Sequence, residues 1–332
     1  MIKNKRVSAC LIARNEEDNI EDCIKSIYEI VDEIIVLDTG STDKTKEIAK
    51  SFNKVKLFET KWKYDFSIAR NECISYASGD WILSIDGDEV LEKSKTDLQI
   101  LETKTNFNAF FFKIICPYPD SNLKKAYLRH SLFKNKIGIK YVKAIHEHLA
   151  SDILKDFIIE DINIFNYKNF KSKEEIELKE QQYFNLITKS IKETDNLIDK
   201  AHYIKHLSEF YTEYGDHENS LLASHTLYKI YNKIDFLKNS KEYEFVLQDI
   251  YKGEFLYNKN INHAEKFVNE HIKINKSSFS ANFFKANITK ERGDKKKALE
   301  MYLKCENLLN KKEINYEIIL ENLNKMKDSV LK

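Results

Sequence analysis

Up to about residue 165 the chain alternates short β-branched runs with amphipathic stretches. The segments RVSACLIA, EIIVLD, VKLFET and WILSID read as strands, and the residues between them repeat apolar positions at helical spacing. This alternation predicts βαβ units on a mostly parallel, Rossmann-like sheet. After about residue 168 the strand signals stop, and long helical patterns rich in Lys, Glu, Asn, Leu and Tyr take over. The expected organisation is an α/β domain over residues 1–167 followed by an all-α domain over 168–332.

Two stretches of the helical half, FYTEYGDHENSLLASHTLYKI and ANFFKANITKERGDKKKALEMYLKC, share one pattern. Gly-Asp closes one helix and an apolar stripe opens the next. A third, LYNKNINHAEKFVNEHIKI, puts Ala264 where Ala298 stands in the last copy. The pattern resembles degenerate tetratricopeptide (TPR) repeats, most clearly at Ala286, Gly293, Asp294, Ala298 and Tyr302. Stacked repeats of this kind present a concave face to a peptide or partner. The same helices also suit a buttress for the sheet or a homodimer interface, and all three uses stay open at this point.

Charge is heavy but balanced, with 54 Lys and Arg against 53 Asp and Glu, so no global field selects nucleic acid or an anionic membrane. Two prolines and seven glycines suit a helix-rich chain with few long irregular loops. The five cysteines form no C-x-x-C pair and read as buried packing residues. With only a short apolar stretch near the start and Lys113 interrupting AFFFKIIC, no transmembrane segment is expected and the reading is cytoplasmic.

The polar clusters fall at strand ends. Arg14, Asn15 and Glu16 follow the first strand, Asp38 ends the second, and Asp86, Asp88 and Glu89 surround Gly87 after the fourth. In a parallel sheet these ends share one edge, where ligands bind. Asp-Gly between two runs is also a hairpin signal, but three clusters converging on one edge favour a site. Gly40 suits a tight turn, and Ser41, Thr42 or Asp43 suits the cap of the next helix. No G-x-G-x-x-G or P-loop pattern follows any strand, so phosphate needs another device. Crowded carboxylates call for a cation, and Mg²⁺ or Mn²⁺ held by one or two of them leaves positions for diphosphate oxygens. Gly87 is expected to let backbone and ligand approach closely.

In order and spacing, VSACLIARNEEDNIEDCIKSI, DEIIVLDTGSTDKT, WKYDFSIARNECISYASGDWILSIDGDEVL and IHEHL resemble the successive motifs of inverting family-2 glycosyltransferases of the GT-A fold. The resemblance covers roughly residues 6 to 150. KWKYDFSIARN followed by a repeat-like tail is similar to a bacterial branch that includes sublancin-type peptide S-glycosyltransferases. Other members of that branch look like lipopolysaccharide or cell-wall transferases, so the acceptor stays open between a peptide side chain and a glycan.

The resemblance implies a metal-dependent hexosyl- or N-acetylhexosaminyl-transferase using a nucleotide-diphosphate donor such as a UDP-sugar. It places uracil or ribose at Asp38, with Ala13, Arg14 and Glu16 lining the nucleotide pocket. Arg70 would lie over the base or pyrophosphate, Asp86 against ribose or sugar, and Asp88 on the metal joining the phosphates. The His-Glu pattern in KYVKAIHEHLA favours Glu147 or His146 near the acceptor, and Glu147 is assigned as the base. If that stretch is extended, His146 and His148 share a face and Glu147 takes the other. Arg129 and His148 are candidate phosphate or acceptor contacts. The sequence departs from the family where Asp-Thr replaces the Asp-Asp of many relatives, which weakens any role for Thr39. The acceptor loops after the fourth strand are also lean, leaving the helical tail to supply acceptor surface. A reading of another class remains: a noncatalytic TPR-like adaptor with a vestigial nucleotide-binding domain.

Overall fold

A computed structural model describes residues 5–92, 104–117, 124–167, 173–309 and 316–331. The chain divides into two compact units, Met1–Gln181 and Gln182–Lys332. The expected boundary after residue 167 borders residues 168–172, which lie outside the described residues.

In the first unit the four sequence-read strands form as β1 (Val7–Ala13), β2 (Glu33–Asp38), β3 (Val55–Glu59) and β4 (Trp81–Ser84). Between them run α1 (Ile20–Ile27), α2 (Thr45–Lys50) and α3 (Phe66–Ser75). Strands β5 (Glu89–Leu91), β6 (Ala109–Pro117), β7 (Lys124–Lys134), β8 (Lys140–Val142), β9 (His148–Ala150) and β10 (Asp156–Asn166) follow. The eight-stranded sheet has the order β3-β2-β1-β4-β7-β6-β10-β5, and β8 pairs with β9 separately. Its first four strands are parallel, and β7 then lies antiparallel between β4 and β6. The Asp-Gly after β4 makes no hairpin onto β4: β5 pairs antiparallel with β10 instead.

Alternation along the strands feeds two apolar layers. Val7, Ala9 and Leu11 of β1 pack with Ile20, Ile24 and Ile27 of α1 on one face. Cys10, Ile35 and Leu37 pack with Ala69, Cys73 and Tyr141 on the other, so α1 and α3 sandwich the sheet. All five cysteines are buried.

Helix α4 (Lys173–Glu193) contains the division between units. The second unit continues with α5 (Leu197–Glu213), α6 (His217–Tyr231), α7 (Asp235–Lys238), α8 (Lys241–Leu256), α9 (Ile261–Ile274), α10 (Phe279–Glu291), α11 (Lys295–Leu308) and α12 (Tyr316–Leu331). Six of these starts are capped by a side chain accepting from the first-turn backbone: Asn196, Asp216, Ser240, Asn260, Ser278 and Asp294. The repeated Gly-Asp has a physical basis. Gly215 and Gly293 take positive φ of 73° and 88° to end a helix, and the Asp that follows caps the next. In the intermediate copy Lys259 adopts φ 54° and Asn260 provides the cap. Ala264 and Ala298 are fully buried in equivalent second-helix positions, and Ala286 and Tyr302 are buried with them.

Candidate active site

Register alone aligns the first two clusters, because Ala13 at the end of β1 pairs with Asp38 at the end of β2. Asp38 is buried, and its Oδ1 accepts from Gly40 N and Ser41 N, each at 2.9 Å. Gly40, at φ 113°, makes that turn. Its second oxygen, Oδ2, is buried with no hydrogen-bond partner among the described residues. A buried carboxylate oxygen is costly to leave unpaired and marks a position where a ligand donor fits. Thr39, by contrast, spends its hydroxyl on Ala13 O at 3.2 Å.

The loops after β1 and β2 are clasped together. Asn15, at φ 54°, accepts from Thr42 N at 2.8 Å, and Ser41 Oγ accepts from Asn15 N. Asp43 Oδ2 accepts from Glu17 N, and Thr45 Oγ1 from Glu16 N. The expected capping role of Ser41, Thr42 or Asp43 is therefore only part of their work: Lys44 stands at the cap position, while Asp43 Oδ1 accepts from Thr45 N at 3.0 Å. Of the residues expected beside Asp38, Ala13 lies there and Arg14 is exposed. Glu16 is buried, accepting from Lys179 Nζ at 2.9 Å and Asn19 Nδ2 at 3.1 Å.

The third cluster is built around arginines. Arg70, on the second turn of α3, is buried, and its Nη2 lies 2.8 Å from Asp86 Oδ1 while Nε donates to Glu147 Oε1 at 2.5 Å. Its guanidinium lies 5.4 Å from the centre of the Tyr141 ring. Asp65 starts α3 by accepting from Ile68 N, and Asn71 exchanges two hydrogen bonds with the backbone of Tyr141, which fixes the β8–β9 hairpin against the helix. On the other side Arg129 of β7 contacts Asp86 Oδ2 at 2.9 Å and grips both oxygens of Glu89, at 2.9 and 2.6 Å. Burial alone would raise the Asp86 carboxyl; Arg70 and Arg129 outweigh it and hold the group below the usual carboxylate range. Burial alone would likewise lower both guanidiniums, and their carboxylate partners keep them firmly charged.

Three sequence expectations change here. Arginines pair with Asp86 and Glu89 and compensate part of the crowding that the sequence assigned to a cation alone; Glu89 and Tyr141 are parts of the site that the sequence reading left unassigned. The only hint was Glu89's place in the acidic run, since its partner Arg129 lies forty residues on. The stretch holding His146, Glu147 and His148 is not one extended strand. It bends between β8 and β9, with Lys143 at φ 79° and His146 at φ 50°. The extended condition is not met, yet Glu147 still joins Arg70 while His146 and His148 are both exposed. Gly87 is hemmed in by protein, because a Cβ there would meet Glu16 Cγ at 3.2 Å.

Residues 8–155 match the sequence model of the family described as Glycosyl transferase family 2. They form a glycosyl transferase family 2 domain. Over 157 residues the chain is 38% identical to a TPR repeat-containing protein of Synechococcus elongatus, covering 45% of this chain and 36% of that protein. Over 151 residues it is 34% identical to the SPbeta prophage-derived glycosyltransferase SunS of Bacillus subtilis, covering 42% of this chain and 34% of that one. The chain thus spans about a third of the length of these curated relatives. The crystal structure of S. aureus TarS overlaps 78% of this chain and 54% of its own at 14% identity, with a TM-score of 0.43.

The donor set of the family-2 domain suits a hard divalent ion. Among the described ion pairs, Arg70 and Arg129 oppose Asp86, Glu89 and Glu147, so three formal negative charges face two positive ones. Asp88 is half-buried, and its Oδ1 accepts from Asn166 Nδ2 at 3.3 Å. Oxygen ligands and excess negative charge are what Mg²⁺ or Mn²⁺ requires.

Proposed function

We propose that the family-2 domain transfers a hexose or N-acetylhexosamine, with inversion, from a UDP-sugar to a peptide side chain or a glycan. The observation that carries this reading is the meeting at one sheet edge of Asp38, with its unpartnered buried oxygen, and the Arg70–Asp86–Glu147 chain. Asp38 Oδ2 would accept from the nucleoside, with Ala13 and Glu16 beside it. Arg70 holds Asp86 toward ribose or sugar and, through Nε, orients Glu147. With Oε1 taken by Arg70, Glu147 would use Oε2 to remove the acceptor proton as the acceptor attacks the anomeric carbon and the bond to the diphosphate breaks. A divalent cation at Asp88 would neutralise charge developing on the departing diphosphate. Arg129 reads here as the buried counter-ion of Glu89 and Asp86 more than as a direct phosphate contact.

Thermal unfolding with UDP-, GDP- and CMP-linked sugars, with and without Mn²⁺, tests the donor assignment. UDP-sugars with Mn²⁺ at about 100 times their dissociation constant should add roughly 2.7 kcal/mol, and Asp38→Ala should remove that gain. Glu147→Gln should retain the stabilisation and lose transfer. If no nucleotide stabilises the protein with metal present, the adaptor reading replaces this one.

A further inference from the structure

Within the second unit, three helices bring imidazole and carboxylate groups to one point that the proposed transfer does not use. Glu254 of α8 is 4% exposed, and its Oε1 lies 3.0 Å from His225 Nε2 of α6 and 2.8 Å from His263 Nδ1 of α9. All three ligand-type atoms fall within 4.8 Å of one another. The two imidazole planes are nearly parallel, at 16°, with Phe267 edge-on to both.

We propose that His225, Glu254 and His263 form a transition-metal site, Zn²⁺ foremost, that pins α6, α8 and α9 together. Two imidazoles and one carboxylate are a three-ligand zinc donor set, with water completing the tetrahedron. Metal–ligand bonds of about 2.0–2.1 Å set a tetrahedral edge of about 3.3 Å. The contacts of 2.8 and 3.0 Å lie within about half an ångström of that edge. Both ring nitrogens already point at one oxygen, so an ion takes the place of two hydrogens and each ring carries its proton on the other nitrogen.

The backbone around the site is fixed in advance. Gly253 lets α6 and α8 come close enough for the pair to form, since a Cβ there would lie 2.9 Å from Leu221 Cδ1, one turn before His225. Asn260 N donates to Glu254 O at 2.8 Å, and Asn260 Oδ1 caps the turn that carries His263. Asn258 Nδ2 holds the other Glu254 oxygen at 3.3 Å, as outer-shell partners do in metal sites. Imidazole ligands also separate this site from the oxygen-only cluster of the first unit, because they select Zn²⁺ over Mg²⁺.

Titrating the full chain with Co²⁺ in excess Mg²⁺ should give the visible absorption of four-coordinate cobalt at one equivalent, displaced by Zn²⁺. His225→Gln and His263→Gln should each abolish the band with helix content unchanged by circular dichroism. Asn258→Ala should weaken Zn²⁺ binding by about 10–100-fold, and Asp88→Asn should leave the band intact, which keeps this test separate from the transferase reading. Absence of the band, or a band surviving both histidine substitutions, overturns the proposal. Should those variants unfold, hydrogen exchange of the unsubstituted chain decides: Zn²⁺ must slow exchange in α6, α8 and α9, and unchanged exchange overturns it.

Discussion

Glu33, at the start of β2, collects four hydrogen bonds. Ser8 Oγ, Ser78 N and Ser78 Oγ reach its Oε1 at 2.6 to 2.8 Å, and Lys56 Nζ reaches Oε2 at 2.7 Å. Burial by itself would raise this carboxyl, and the donors overcome it, lowering the group from an ordinary 4.5 to about 2. A depressed carboxylate stabilises the fold above its unfolded pKa, and that stability drains away as pH falls from about 4.5 to about 2. With the partner Lys56 half exposed, the contribution is about 2–3 kcal/mol. Glu33→Gln should therefore lower stability by that amount at neutral pH and flatten the acid limb, as read by urea unfolding at a series of pH values. At this scale the sequence exposes identities but not pairings. Asp38 was legible because it ends a strand with a turn after it, whereas the grip of Arg129 on Glu89 depends on β7 lying antiparallel to β4, which no local pattern encodes.

Among the elements, the helix starts after Gly-Asp were legible, since Asp216 and Asp294 each cap within three residues of themselves. Strands β1 to β4 were legible for a similar reason, their alternation being continuous. The hairpin of β8 and β9 was not, because KYVKAIHEHLA alternates well enough to pass for one strand and its bend rests on two non-glycine residues at positive φ. The helical copies allow a paired test of left-handed closures. Gly293→Ala should cost about 1 kcal/mol, while Lys259→Gly, which relieves φ 54° at the same structural position, should gain about 0.5–1 kcal/mol less the loss of the Lys259 Nζ bond to Leu256 O. Opposite signs in thermal unfolding are the expected outcome.

For the molecule as a whole, each unit has its own apolar interior, one layered on the sheet and one threading α5 to α10. Calorimetry should therefore resolve two transitions. UDP-sugar with Mn²⁺ should raise one and Zn²⁺ the other, because the two proposed ion sites differ in ligand chemistry as well as in location. No helix among the described residues is long and apolar enough to cross a membrane. The cross-bonding of Asn15 with Thr42 and of Glu17 with Asp43 has a bearing on re-engineering this protein. The loops after β1 and β2 behave as one mechanical part, so a donor-specificity graft that imports either loop alone strands the backbone donors of the other, and only the matched pair transplants intact.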